Sequence, residues 1–456
     1  MDFQTLKPSV RTPKNSTCRP LGAAEKIFWL WDQVQPGHFA LTAQIQGEFS
    51  TEQLKRALMQ VQQRHPLLRV RIALDETEQP WFAEEVANIP LRILRRQSEQ
   101  HWQREVETEL STPFNWSQAP LIRAVLLHSL EISELIIVYH HPIANGTSGA
   151  YLIGDILQAI AVPSAILQPL SMPLSSEELM LGKADAALSL RPVALQTSAF
   201  KPQETSPRSR LLAGSLTPET TARLIFRCRQ EQTSVHAAIC AAFLLAIVRQ
   251  SGSKQQQTLR CATPINLQRH FMSLTDAQLS FCVTSARTWH DLTPNTSVWA
   301  VAQSVKQQLN QAMEPEQVMT GIQQAQVWMS ANPSSLQVWQ GFVEQFGCDL
   351  VVTNLGRLAL PQQFGQLQLR GIYGPSTMMG RDFSPVLGVI TVGEQLCFTL
   401  VYPESVLSPV AVTQLQQEAM QLLHTAIAST SADQSEARVE SLESTKSRFL
   451  GRIKWQ

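Results

Sequence analysis

The segment "ELIIVYHHPIANGTSG", Glu134 to Gly149, ends an apolar run in two adjacent histidines and follows them with a short turn holding Asn145 and Gly146. Near its ordinary pKa, imidazole is the side chain best suited to take a proton from a hydroxyl or amine at neutral pH. If an acyl group arrives already activated as a thioester, its transfer needs one such base, alignment of the acceptor, and donors for the oxyanion that forms. A strand end followed by a Gly-containing turn and a helix N-terminus supplies both the base and the amide donors.

Other residues of reactive type read as structural. Ser148 has a Ser-x-Gly look but lacks the strand-elbow setting and the flanking glycines of a nucleophile. Beyond it Leu152, Ile153, Ile156, Leu157 and Ile160 recur at helical spacing, which makes Ser148 the expected cap of a helix whose amides face back toward His141. His65 and His236 fall in helices or at their ends and are read as satisfied core or boundary residues, with no site role. Trp29 and Trp31 are expected to pack in a core rather than stack on a cofactor.

The elements that must hold the histidines are legible on both sides. "PLIRAVLLHSL" (Pro120 to Leu130) and "ELIIVYH" (Glu134 to His140) are apolar runs a few residues apart, the pattern of an antiparallel hairpin whose second strand the histidines terminate. Upstream, "LGAAEKIFWLWDQV" predicts a helix and "HFALTAQIQGEF" a strand. "STEQLKRALMQVQQRHPLLRVRI" predicts a helix capped at Ser50 or Thr51 that ends before Pro66 and runs into a strand. From Val162 to about Arg210 the chain is rich in Pro and Ser, a composition typical of a long connection.

A second half then repeats elements of similar kinds: two helices over Ser215–Gln250, a strand in "TLRCATPINLQ", a helix in "SVWAVAQSVKQQLNQAM" and a strand ending in a polar turn in "CDLVVTNLGRLAL". Two further alternating runs meet at Gly393-Glu394 as a hairpin. The division expected is a flexible N-terminus over 1–20, one subdomain over 21–162, a linker over 163–210, a second subdomain over 211–428 and a polar tail over 429–456.

Composition narrows the chemistry. With 44% hydrophobic and 16% charged residues and a formal net charge of +0, neither disorder nor a hold on nucleic acid is suggested. Seven cysteines carry no C-x-x-C pair or zinc-ligand spacing, which reads as a reducing cytoplasm and no metal site. The N-terminal twenty residues have basic side chains but no apolar segment to make a secretory signal. The longest apolar stretch, Ala237 to Val248, is about half of the ~20 residues a bilayer crossing needs and reads as a buried helix.

"HHPIANG" resembles the His-His-x-x-x-Asp-Gly signature of the superfamily that contains chloramphenicol acetyltransferase, condensation domains of nonribosomal peptide synthetases, alcohol acetyltransferases and mycobacterial polyketide-associated acyltransferases. Four further segments carry the resemblance: "RHPLLRVRI" (Arg64 to Ile72), "FNWSQAPLIRAVLL", "TSVHAAICAAFLLA" and "VVTNLGR" (Val351 to Arg357). The last resembles a turn of the free-standing members in particular, the phthiocerol dimycocerosyl transferase-like and alcohol acetyltransferases. The plant-type Asp-Phe-Gly-x-Gly segment is not matched, since "GRDFSP" (Gly380 to Pro385) has only the Asp-Phe.

The resemblance implies an α/β fold of the α+β sandwich type, with two chloramphenicol-acetyltransferase-like subdomains in a V around a central tunnel. It implies His141 as general base, His140 and Asn145 as supporting residues, the Gly146 amide as oxyanion donor, and Asn354, Gly356 and Arg357 as lining from the second half. No cofactor is expected to stay bound. Coenzyme A or an acyl carrier protein would bring the thioester to a small-molecule or lipid acceptor, on a cytoplasmic monomer with no nucleic-acid partner.

One position departs from the signature, whose Asp is Asn145 here. In the family that carboxylate turns away from substrate and pairs with an arginine, for which Arg64 or Arg69 is the candidate, Arg69 being preferred. An amide keeps the shape and an acceptor but turns a charge-assisted bond of roughly 1.5–3 kcal/mol into one of roughly 1 kcal/mol. The expected function is acyl transfer from a thioester to a hydroxyl or amine. The alternatives are a catalytically impaired binding or assembly module, motivated by Asn145, and a free-standing peptide-condensation enzyme.

Overall fold

A computed structural model describes residues 18–164, 167–180, 208–268, 275, 277–378 and 384–428. Residues 1–17 of the expected N-terminal arm, most of the linker, the polar tail and the Asp-Phe of "GRDFSP" lie outside the described residues, whereas residues 18–20 of that arm form a strand.

The first half runs β1 (Cys18–Pro20), α1 (Ala23–Asp32), β2 (Phe39–Gln46), α2 (Thr51–Arg64), β3 (Val70–Leu74), β4 (Pro80–Glu84), β5 (Leu91–Arg95), α3 (His101–Leu110), β6 (Ile122–His128), β7 (Ile132–Tyr139), α4 (Gly146–Ala161) and α5 (Ser176–Met180). The second runs β8 (Ser209–Leu216), α6 (Pro218–Gln230), α7 (Val235–Gln250), β9 (Gln257–Asn266), β10 (Val283–Leu292), α8 (Val298–Ala312), α9 (Pro315–Ser330) and α10 (Ser335–Phe346). It continues through β11 (Leu350–Leu358), β12 (Gln363–Phe364), β13 (Leu367–Thr377), β14 (Val386–Val392), β15 (Gln395–Pro403) and α11 (Pro409–Ala428).

Two six-stranded sheets organise these elements, in the orders β12-β13-β2-β7-β6-β5 and β10-β9-β11-β14-β15-β8, beside a small β1-β4-β3 sheet. β12 and β13 come from the second half yet complete the first sheet, with β13 antiparallel to β2. The two halves are thereby bound through a shared ladder as well as through side chains. The expected hairpins form as β6–β7 and as β14–β15, and Ser50 rather than Thr51 caps α2 in a reciprocal pair with Gln53.

The apolar run before the histidines follows from cover on both faces of its strand. On β7, Leu135, Ile137 and Tyr139 join the core under α2 and α4, while Ile136 and Val138 join a second core with Trp102, Val106 and Leu110 of α3. In the second half α7 is apolar all round because α8, α11, β9 and β11 enclose it, with Phe243 and Leu244 packed among Val305, Val352 and Leu415. Among the described residues no single helix is long and apolar enough to cross a membrane.

Candidate functional site

Alternation along β7 assigns the two imidazoles to different places. Tyr139 faces the α2/α4 side, so His140 continues onto the other, where it is fully buried with its ring 5.7 Å from that of Phe114. The backbone then turns through Pro142 and Ile143, the His140 amide donates to the Leu121 carbonyl, and alternation ends. Released from the pleat, His141 lies among Phe28, Phe39 and Phe281, with ring centroids 4.5, 4.9 and 5.1 Å away.

His141 lines a cavity of about 420 Å³ between the two halves, together with Gly146, Thr147, His236, Thr263 and Asn354 among others. Its Nδ1 lies 3.1 Å from the Ala144 carbonyl, which can only accept, so Nδ1 carries the proton and Nε2 keeps its lone pair. Burial depresses the ring's pKa to about 4, outweighing the hydrogen bond to Ala144, so the imidazole is neutral at physiological pH. These are the tautomer and charge state of a general base.

His140 is excluded from that cavity. Its Nε2 lies 3.4 Å from Oδ2 of Asp32, a carboxylate buried at the end of α1 that also accepts from the Gly37 amide at 2.8 Å and approaches His38 Nδ1 at 3.6 Å. Burial pushes the Asp32 carboxyl up, but His140 and His38 outweigh it and hold it well below the usual carboxylate range. Asp32 is absent from the sequence-based site; its one signal is an acid in the otherwise apolar "IFWLWD".

The turn after the histidines is organised by Asn145. Its Oδ1 accepts from the Ser148 amide at 2.9 Å while Ser148 Oγ reaches the Asn145 amide at 3.2 Å, so Asn145 is the cap of α4 and Ser148 its reciprocal partner. This corrects the assignment of the cap to Ser148, because the last extended residue before the helix is Asn145 and Ser148 already lies inside its first turn. Gly146 occupies the first helical position, and a Cβ there would stand 2.7 Å from Pro375 Cγ and 2.8 Å from Leu355 Cδ2. Both contacts come from the second half, so any side chain here would have to displace Pro375 and Leu355.

Arg69 is not the partner of Asn145. It bonds Glu84 of β4 at 3.0 Å and the carbonyls of Gln62 and Gln63 near the end of α2, while Arg64 pairs with Asp155 in the body of α4. The Asn145 amide instead donates to Gln268 Oε1 at 2.9 Å, and the Gln268 amide donates to the Gln278 carbonyl at 2.8 Å and to that of Thr275. Asn145 and Gln268 are 1% and 0% exposed, so a neutral amide pair joins the two halves where the signature calls for a carboxylate and an arginine. Two neutral partners leave no buried charge uncompensated.

From the second half, Asn354 and Gly356 reach the cavity. Asn354 Oδ1 accepts from the Gly356 amide at 2.8 Å, and Gly356 takes φ of +71°, a conformation open to glycine, inside a strand rather than in a terminal turn. Arg357, beyond the irregularity this creates, is exposed and does not line the cavity. His236, read as a boundary residue, does line it, with Nε2 3.1 Å from Thr263 Oγ1 and a pKa lowered by burial to about 4.

A condensation-domain family model matches residues 29–161, and the model for the C-terminus of phthiocerol/phthiodiolone dimycocerosyl transferase matches residues 205–400. Plipastatin synthase subunits D and C of Bacillus subtilis are 24% and 23% identical over 284 residues, 58% of this chain. The matches span only 8% and 11% of those two proteins. Polyketide synthase associated protein 5 from Mycobacterium tuberculosis superposes with a TM-score of 0.62 at 15% identity, covering 90% of this chain and 98% of that one. Trichothecene 15-O-acetyltransferase from Fusarium sporotrichioides superposes with a TM-score of 0.66 at 11% identity, covering 92% and 97%.

Proposed function

Since the chain belongs to the chloramphenicol-acetyltransferase-like superfamily of acyltransferases and condensation domains, we propose that it moves an acyl group from a thioester to a hydroxyl or amine. The observation that carries this reading is the His141 ring, neutral, with Nδ1–H committed to Ala144 and Nε2 left to accept a proton. Nε2 takes the acceptor's proton as its oxygen or nitrogen attacks the thioester carbonyl. The oxyanion that forms lies near the N-terminus of α4, where the Gly146 amide is the donor in this reading. Collapse of the intermediate breaks the C–S bond, and the proton held by His141 passes to the leaving thiolate.

Asn145 motivates the reading of an impaired binding module, but its pairing with Gln268 argues for a retuned turn rather than a damaged one. Peptide condensation on carrier-bound chains uses the same chemistry and draws support from the plipastatin synthase relatives. Mass-spectrometric screening of coenzyme A and carrier-protein thioesters against alcohols and amines tests the function, with His141→Ala as control. Turnover unchanged in His141→Ala would overturn the mechanism, and the acceptor that reacts separates ester formation from amide formation.

A further inference from the structure

Glu177 of α5 is 4% exposed, and only half of its carboxylate is used. Oε1 accepts from the Ala24 amide at 2.8 Å, at the N-terminus of α1, while Oε2 has no hydrogen-bond partner among the described residues. The surrounding groups do not balance its charge. Arg19 stands among three carboxylates, Glu25, Glu177 and Glu178, but gives both terminal nitrogens to Glu25 at 2.7 Å. Lys26 donates to Asn332 at 2.8 Å and reaches Gln79 and the Met329 carbonyl. A helix N-terminus offsets roughly half a charge, and α1 already carries Glu25 in its first turn. Buried carboxylates are nearly always paired, so an unpaired oxygen here points to a cation that arrives from outside.

Space for such a cation lies on both sides of the carboxylate. A cavity of about 230 Å³ is lined by Gly22, Ser175 and Gln326 with Glu177 and Glu178. A Cβ at Gly22 would collide with Glu177 Oε2, which places the unpaired oxygen at that wall. A cavity of about 340 Å³ between α1 and α9 has Glu177 as its one ionisable wall residue among the described residues, with Ser176, Thr284 and Ser285 as hydroxyls. It meets the His141 cavity along Phe28, Pro264 and Val283. Among the described residues no lysine or arginine lines any of the three.

Resting on the acyl-transfer reading, we infer that Glu177 binds a cationic amine carried by the acceptor, with Oε2 on the ammonium and the acceptor's nucleophile at the far end, beside His141. The pantetheine arm of a thioester is neutral and the distal end of coenzyme A is anionic, so neither supplies the cation. A thioester also brings its own handle in that arm. A small acceptor has none, and one buried ion pair gives it the alignment that transfer requires. The acceptors that fit are amino alcohols or diamines whose ammonium is separated from the reacting group by several carbons.

The test is calorimetric binding of α,ω-amino alcohols of four, six and eight carbons, each against the diol of the same length, with the His141 ring followed by NMR. In the wild-type protein the best amino alcohol binds about 10- to 150-fold tighter than its diol, the usual worth of a hydrogen bond to a charged group, and shifts the His141 resonances. Glu177→Gln keeps an acceptor for the Ala24 amide and brings the pair to equal affinity, while unchanged diol binding shows that the variant is folded. Glu178→Gln, beside the same cavity, keeps the preference. Equal affinities in the wild type, or a preference that survives Glu177→Gln, overturns the proposal. So does Glu177-dependent binding that leaves His141 unmoved, or a preference confined to S-(6-aminohexanoyl)pantetheine over its hexanoyl counterpart, which would put the cation on the acyl group. Binding needs no turnover: a Glu177-dependent preference with no transfer from any thioester keeps the cation site and removes the acyl-transfer reading, while transfer without the preference does the reverse.

Discussion

His140 and His141 are joined by one peptide bond, yet one is sealed against a buried carboxylate and the other faces a cavity with a free lone pair. The side chains are chemically identical, so the difference belongs to their surroundings. His140 keeps the alternation of β7 and inherits the buried α3 side, next to Asp32 of α1. His141 falls where the pleat ends and is turned by its Ala144 bond into a neutral acceptor. Pairing the two lets one imidazole anchor α1 behind the strand end while the other performs proton transfer in front of it.

Removing each ring in turn is the strongest way to break this comparison. His141→Ala is expected to lower the transfer rate by about 10²–10⁴-fold, the usual worth of a positioned base, with only a small shift in thermal midpoint because the ring is half-buried. His140→Ala is expected to do the opposite: to cost about 3–5 kcal/mol in urea unfolding, by stripping the buried Asp32 of a partner, and to keep most of the activity per folded molecule. Adding Asp32→Asn to His140→Ala should recover part of the lost stability. Equal loss of rate per folded molecule in both histidine variants would dissolve the distinction.

The turn between the halves sharpens the comparison at smaller magnitude. Restoring the carboxylate of the signature with Asn145→Asp sets a buried charge against Gln268 Oε1, while the Gln268 amide hydrogens are already committed to the Thr275 and Gln278 carbonyls. Asn145→Asp is therefore expected to destabilise by about 1–3 kcal/mol and to reduce activity, not to improve it. Gln268→Arg in the same chain offers donors to the carboxylate and to both carbonyls, so the double variant should regain stability beyond the sum of the single changes. A double-mutant cycle in urea midpoints reads this, and simple additivity would show the two positions to be independent.

What the residues disclosed and what they hid divides along range. The strand end, the helix after Gly146 and the cavity contacts of Asn354 rest on local pattern and on motifs of a few residues, and these were readable. The partner of Asn145 was not, because Gln268 lies 123 residues away and an amide meeting an amide leaves no periodicity or charge pattern. Arg69 was attractive because the resemblance pairs the signature's carboxylate with an arginine and Arg69 lies in a segment that carries that resemblance. The same limit hid the crossing of β13 to the first sheet, since a ladder between residues 367–377 and 39–46 is specified by burial in the finished fold. α9 and α10 were missed for another reason: they are rich in Gln, and their apolar faces are completed by α1 and the cavity rather than by a sheet.

Acid titration separates the two roles of buried imidazole with the smallest perturbation. Because His141 keeps its proton off down to about pH 4, kcat/KM should be flat from pH 8 to about pH 5.5 and fall with a limb near 4; a solvated imidazole would bend it near 6.5. Stability behaves differently. Burial also lowers the pKa values of His38, His65, His236 and His290, so the unfolded chain binds more protons than the native one below about 6.5. The stability these groups contribute is present above that pH and is lost as pH falls toward 4, by up to about 1.4 kcal/mol per pH unit for each group. His290 lies outside the cavity, with Nδ1 3.2 Å from Ser304 Oγ. His290→Gln should therefore remove one group's share of the stability slope, read from urea midpoints between pH 6.5 and 4.5, and leave the kinetic limb where it was. A kinetic limb that moves with His290 would mean that the rate tracks unfolding and not the ionisation of His141.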